Sequence, residues 1–214
     1  MTTLRICFVG DSMTNGTLDA EYLGWPGRLC RAEQARGHDL TLYNLGVRAD
    51  TSTMIEARWH AECRARLPDH TPGALVFAFG VNDMAEEQGF GLRVPLADAL
   101  ATARRIIAPA AAWLPTLWIG PAPVDMARQP LKPAPGVTYD FDNGRIQELS
   151  AAYARLSEQL NIPYLDLFTP LSADADWSDA VASGDGVHAV SDGYRRIARL
   201  IEQWSAWRAW FDAT

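Results

Sequence analysis

The chain predicts an α/β fold, a three-layer α/β/α sandwich built on a five-stranded parallel sheet. Short runs rich in β-branched and aromatic residues alternate with longer stretches of helical apolar period along the 214 residues. Residues 74–79, Ala-Leu-Val-Phe-Ala-Phe, are apolar without a break. That is the pattern of a central strand covered on both faces. Clusters of Gly, Asp, Asn and Ser follow the predicted strands, where open parallel sheets hold their ligands. No Ser/Gly-rich linker or charge block interrupts this rhythm, so residues 1–214 read as a single domain.

The elements follow in order. Residues 4–9, Leu-Arg-Ile-Cys-Phe-Val, form the first strand, and Gly10 ends it. A helix is predicted over about residues 23–36, stopping near Gly37, and a second strand over 40–45. The second helix covers 51–67. It opens on a capping-box pattern at Thr53 and Glu56, carries a stripe of Ile55, Trp59, Cys63 and Leu67, and stops before Pro68. The third strand, 74–79, precedes a helix over about 94–114, whose first turn tolerates Pro95. Residues 116–119 are the fourth strand. Ile146, Leu149, Tyr153, Leu156 and Leu160 stripe a fourth helix, and 162–167 give the fifth strand. Ile197, Leu200, Ile201, Trp204 and Phe211 stripe one last helix, into whose packing Trp204, Trp207 and Trp210 are expected to enter. Between Gly120 and Val137 the prolines at 121, 123, 130, 133 and 135 exclude regular helix or a central strand. A long irregular connection in a compact domain is a candidate rim for a site.

Composition removes several function classes. The formal net charge of −7, with no basic run interleaved with aromatics, argues against a nucleic-acid partner. Cys7, Cys30 and Cys63 form no C-x-x-C pair and read as free buried thiols. The four histidines show no H-E-x-x-H or comparable cluster, so neither metal nor other cofactor is expected. The first apolar run has six residues and leads straight into Gly10-Asp11-Ser12. Signal cleavage there would remove the serine, and no stretch is long enough to span a membrane; a cytoplasmic protein is expected. The tryptophan-rich C-terminal stretch offers an apolar patch on which a homo-oligomer could form.

Four polar clusters remain: Gly10-Asp11-Ser12-Met13, Asn44-Leu45-Gly46, Gly80-Val81-Asn82-Asp83 and Asp185-Gly186-Val187-His188. A serine on a tight turn past a strand holds its hydroxyl clear of the sheet. An acyl-transfer site also needs a base, a group that orients the base, and donors for an oxyanion, and each role has a candidate. Asp11 and Asp83 read as acceptors that stabilise turns.

With these motifs the chain resembles the SGNH (GDSL-type) hydrolase superfamily of esterases and lipases, named for a serine, a glycine, an asparagine and a histidine in four separated motifs. Ser12, Gly46, Asn82 and His188 match them in order. The resemblance implies a flavodoxin-like arrangement of the sheet and a division of labour. Ser12 attacks the carbonyl, His188 takes its proton, Asp185 fixes the imidazole, and the oxyanion rests on the backbone N–H groups of Ser12 and Gly46 and the amide of Asn82. Two departures stand out. Met13 replaces the usual leucine, and Ala49 stands where the family often has a second glycine. Alanine takes a positive φ less cheaply, so a loop of different shape is expected there, with Arg48 bringing charge to its rim.

The expected activity is hydrolysis of a small-molecule carboxylic ester through an acyl-enzyme. The same residues would serve an acyltransferase or a thioesterase, and a non-catalytic binding module on the same fold is a further alternative. No G-x-G-x-x-G or P-loop follows the first strand, which disfavours a nucleotide binder. Asp125, Arg128, Gln129 and Lys132 make the candidate rim polar, which suits short-acyl esters better than fatty ones.

Overall fold

A computed structural model describes residues 1–211. Strand β1 (Thr3–Gly10) leads into a single-turn helix α1 (Ser12–Asn15), then α2 (Gly24–Ala35), β2 (Asp39–Gly46), α3 (Ser52–Arg64) and β3 (Gly73–Ala78). Two short strands, β4 (Glu86–Glu87) and β5 (Gly91–Leu92), precede α4 (Leu96–Trp113) and β6 (Thr116–Ile119). A 3₁₀ turn (Met126–Arg128) and a hairpin of β7 (Leu131–Ala134) and β8 (Val137–Asp140) come next. The chain continues through α5 (Asn143–Leu160), β9 (Tyr164–Leu165), α6 (Phe168–Ser172), α7 (Ala175–Ala182), α8 (Ser191–Gln203) and α9 (Ser205–Arg208).

The main sheet has the order β2-β1-β3-β6-β9, and all its pairings are parallel. Period-two alternation along β1 divides the core. Leu4, Ile6 and Phe8 pack with Trp25 and Leu29 of α2, Trp177 of α7, and Ile197 and Ile201 of α8. Cys7 and Val9 face the other layer, with Ile55 and Trp59 of α3, Ile106 of α4, and Leu149 and Tyr153 of α5. Residues 6–9 are wholly buried, so β1 sits at the centre of the three layers. On the α5 side the ring of Trp118 lies 4.5 Å from that of Tyr153 and 5.8 Å from that of Phe79. These rings tie β6 and the end of β3 to α5.

Several expectations change. The fifth strand contracts to Tyr164–Leu165, because only two residues pair with β6. The last helix is two: Trp204 is extended, at φ −72° and ψ 125°, and breaks the run after Gln203. Trp207 is nevertheless fully buried, and Trp204 and Trp210 pack against the same cluster. The capping box does not form. The α3 helix begins at Ser52, Thr51 makes no side-chain cap bond, and Glu56 takes the guanidinium of Arg105 instead. The donor at the start of α3 is met from elsewhere: Ser52 N–H donates to Asp83 Oδ1 at 2.7 Å. A small antiparallel sheet, ordered β5-β4-β8-β7, was not expected. It accommodates Pro133 in an edge strand, as a proline requires. The cysteines are free and buried, and among the described residues no helix is long and apolar enough to cross a membrane.

Candidate active site

The sheet order reverses direction between β1 and β3, which opens a crevice beyond their carboxyl ends. Ser12 follows β1 at the first position of α1. Asp11 caps that helix by accepting Met13 N–H at 2.9 Å, and Gly16 closes it at φ 85°. The turn needs Gly10, because a Cβ there would lie 2.1 Å from the carbonyl oxygen of Ala78. The hydroxyl of Ser12 is thus fixed by a strand end and a one-turn helix, in a residue only 3% exposed.

His188 approaches from the segment between α7 and α8. Its Nε2 lies 2.7 Å from Ser12 Oγ, and its Nδ1 lies 2.7 Å from Asp185 Oδ2. The other oxygen of Asp185 accepts the backbone N–H groups of Val187, at 3.0 Å, and His188, at 2.7 Å. Burial pushes the Asp185 carboxyl up, but the hydrogen bond and charge of His188 and these two N–H groups outweigh it, leaving a pKa of about 2. An ionised Asp185 holds the proton on Nδ1 and leaves Nε2 free to accept one from the serine. The arrangement can draw a proton from Ser12 toward His188. The segment from Gly120 to Val137 lies against it: Asp125 N–H and the Gln129 amide both donate to Gly186 O, and Arg128 donates to Ala182 O. The proline-rich connection therefore borders the loop that carries Asp185.

Asn82 follows β3, only 5% exposed, and its Nδ2 donates to the carbonyl of Asp50 at 3.0 Å. A side-chain amide has two N–H bonds, so one remains for a ligand. Gly46 differs from the expectation. Its N–H donates to Asn44 Oδ1 at 3.0 Å, and a Cβ on it would lie 2.2 Å from Asn15 N. Gly46 serves the close packing of β2 on α1, and its donor is already engaged.

Ala49 and Asp50, on the loop after β2, and Arg58, in α3, were given no role by the sequence reading. Ala49 takes the left-handed conformation, at φ 63°. The loop therefore keeps a glycine-like shape despite the alanine, at a cost of order 1–3 kcal/mol. Among the described residues its N–H meets no acceptor, while its carbonyl accepts from Arg93 Nη2 at 2.9 Å. Asp50 and Arg58 bind each other at 2.7 Å. The signal for Ala49 was present in its alignment with a glycine position; nothing local in the sequence marked Arg58.

Two carboxylates lie beneath the site. Burial raises Asp11 to about 7, lowered somewhat by the Met13 N–H and raised again by Asp83 and Asp50. Burial likewise raises Asp83 to about 6, against its bond with Ser52. Asp11 accepts a backbone N–H of its own turn, as its position suggested, whereas Asp83 accepts that of the distant Ser52 and so caps α3 rather than its own turn. Among the described residues no group of three His, Cys, Asp or Glu side chains is assembled that could hold a metal.

Comparison with known proteins agrees with this architecture. The lipase/acylhydrolase of Enterococcus faecalis superposes with a TM-score of 0.72 at 23% identity, covering 97% of each chain. An acetylxylan esterase of Geobacillus stearothermophilus gives 0.70 at 17% identity, covering 96% of this chain and 97% of its own. A member of the lipolytic protein G-D-S-L family from Veillonella parvula gives 0.66 at 17%, with coverages of 92% and 96%. At such identities these likenesses show the fold alone. Sequence comparison with curated proteins gave no match. The GDSL-like Lipase/Acylhydrolase family model, however, matches residues 8–196, from the middle of β1 to the middle of α8. The chain belongs to the GDSL-like lipase/acylhydrolase family.

Proposed function

We propose that this protein hydrolyses short-acyl carboxylic esters through an acyl-enzyme on Ser12, the whole chain acting as one domain. The contact chain Ser12 Oγ–His188 Nε2 and His188 Nδ1–Asp185 Oδ2, both 2.7 Å, carries this reading. His188 accepts the serine proton as the hydroxyl attacks the ester carbonyl, then returns it to the leaving alcohol. Water repeats the cycle on the acyl-serine. Asp185 keeps the imidazole in the tautomer this requires.

The oxyanion is assigned to three donors. Ser12 N–H, at the first position of α1, has no partner within the helix. Asn82 Nδ2 supplies its second hydrogen. Ala49 N–H replaces Gly46 N–H, because the Gly46 donor is engaged by Asn44 and that of Ala49 is open. A donor of this kind contributes about 2.7–4 kcal/mol to the transition state.

Acyl size is read from a small cavity at the carboxyl ends of β1, β3 and β6. This cavity, of about 30 Å³, is lined by Met13, Phe79, Val81, Pro121 and Val187, of which Met13, Val81 and Val187 are the sequence neighbours of Ser12, Asn82 and His188. Such a volume suits a group of one or two carbons, which supports a short acyl chain. Burial of further methylenes would add about 0.8 kcal/mol each only if a groove received them. A series of p-nitrophenyl esters tests this. kcat/KM is expected to peak between acetyl and butyryl. A steady climb to dodecanoyl would overturn the size assignment. Adding alcohols to the assay and analysing the products separates hydrolysis from acyl transfer.

A further inference from the structure

We infer that Arg58 is a positioning residue for the oxyanion donors, an inference that rests on the assignment of Ser12, Ala49 and Asn82 above. Its guanidinium joins three backbone segments that reach the site from different elements. Nη2 donates to the carbonyl of Gly10 at 2.9 Å, two residues before Ser12. Nη1 donates to the carbonyl of Leu45 at 2.9 Å, at the end of β2. Nε donates to Asp50 Oδ2 at 2.7 Å, and Asp50 directly follows Ala49. The carbonyl of Asp50 in turn accepts Asn82 Nδ2 at 3.0 Å. A fourth contact, from Nη1 to Glu62 Oε2 at 2.9 Å, lies within α3 and fixes the arginine itself.

Each proposed donor thus stands within two residues of, or one hydrogen bond beyond, a group that Arg58 holds. The tie adds a side-chain clamp between β1, β2 and the loop after β2, beyond the ladder that pairs the two strands and the bond from Val47 N–H to the Gly10 carbonyl. It is well shielded, the side chains of Arg58 and Asp50 being 18% and 10% exposed. The geometry demands arginine. Three nitrogens in one plane point at three acceptors, whereas a lysine ammonium at one point cannot reach all three.

Ala49 shows why such a tie is needed. A non-glycine residue in the left-handed region persists only where its surroundings over-determine it. Arg93 Nη2 grips the Ala49 carbonyl at 2.9 Å, and Arg58 holds the next residue through its carboxylate. With Arg58 removed, the peptide between Ala49 and Asp50 loses one of its anchors. The Ala49 N–H then no longer points steadily at the oxyanion, and Asn82 loses a fixed acceptor. Positioning errors of about 1 Å in such a site cost on the order of 10²-fold in rate.

The test uses the full chain, a short p-nitrophenyl ester and four variants. Arg58→Ala should fold and lose about 10²-fold in kcat with KM nearly unchanged, because the donors meet their full charge only in the transition state. Added guanidinium ion should restore part of the turnover to Arg58→Ala. Arg58→Lys, which keeps the charge beside Asp50, should lie between wild type and Arg58→Ala. Arg105→Ala cuts another ion pair of the same helix, to Glu56, and should keep wild-type kcat. A wild-type kcat in Arg58→Ala would overturn the positioning role. So would a loss of kcat that guanidinium does not rescue and that Arg105→Ala shares in proportion to its loss of folded protein. If Arg58→Ala does not fold, Arg58→Lys decides: a wild-type kcat there overturns the role, and a kcat loss at constant KM supports it. Ser12→Ala keeps the two readings apart. Undiminished turnover in it defeats the assignment of the site itself, whereas an inactive Ser12→Ala beside a fully active Arg58→Ala defeats only the role of Arg58.

Discussion

Asp185 uses its two oxygens differently. One accepts the backbone N–H groups of Val187 and His188 and so shapes the turn; the other faces His188 Nδ1. Asp185→Asn keeps an oxygen for the turn but lets an amide favour the wrong imidazole tautomer. It is expected to remain folded while kcat falls by about 10⁴-fold, measured on a short-chain ester. Asp11 carries the opposite electrostatic signature. Its carboxyl, ordinarily at 3.8, is raised to about 7 by burial. Below its ordinary value both folded and unfolded chains hold the proton and no penalty arises. Between about pH 4 and 7 only the unfolded chain releases it, so this residue lowers stability as pH rises, and the penalty is constant above. Asp11→Asn retains an oxygen for Met13 N–H. Urea unfolding of the variant should show a stability that gains on wild type from pH 4 to 7; a constant difference would refute it. Ser12, Asn82, Asp185 and His188 were legible in the sequence because each lies at a strand end or in a short motif. Ala49 was marked only as standing at a glycine position, and Arg58 was not marked at all, because a three-way tie appears only when distant segments meet.

The helices that position the site differ in how visible they are. The α1 helix spans four residues, fewer than two turns, so no apolar period betrays it; only the Asp11 cap and the glycines on either side do. The α5 helix shows the expected stripe, with Ile146, Leu149, Tyr153 and Leu156 buried and Leu160 half-buried against the same cluster. Its start is secured by Asp142, whose side chain accepts Arg145 N–H at 2.9 Å. Asp142→Ala should lower stability by about 0.5–2 kcal/mol in chemical denaturation and leave kcat unchanged, since α5 supplies none of the proposed donors. The strands β4 and β5 have two residues each, too short for alternation to register. The break at Trp204 likewise left no trace, because the apolar stripe of α8 continues into α9 through Trp207, buried against Phe8 and Trp25 in one cluster.

On the scale of the molecule, the order of the sheet brings residues 12, 82 and 188 to one crevice. The β1 strand lies between β2 and β3, so the ends of all three strands meet around α1. The alternation of elements made the parallel sheet readable, since a strand, a helix and a parallel strand close only in a right-handed sense. The small sheet of β4, β5, β7 and β8 was hidden because it joins segments on either side of α4 and β6. That sheet carries Arg93 to the carbonyl of Ala49, just after β5, and so reaches the same crevice. Covalent chemistry at Ser12 is the step on which the proposed function rests most. Protein mixed with p-nitrophenyl acetate, quenched in acid and digested, should carry an acetyl group on the peptide containing Ser12, and His188→Ala should slow its appearance. An acetyl group found elsewhere, with a folded Ser12→Ala that turns over substrate at the wild-type rate, would contradict the account.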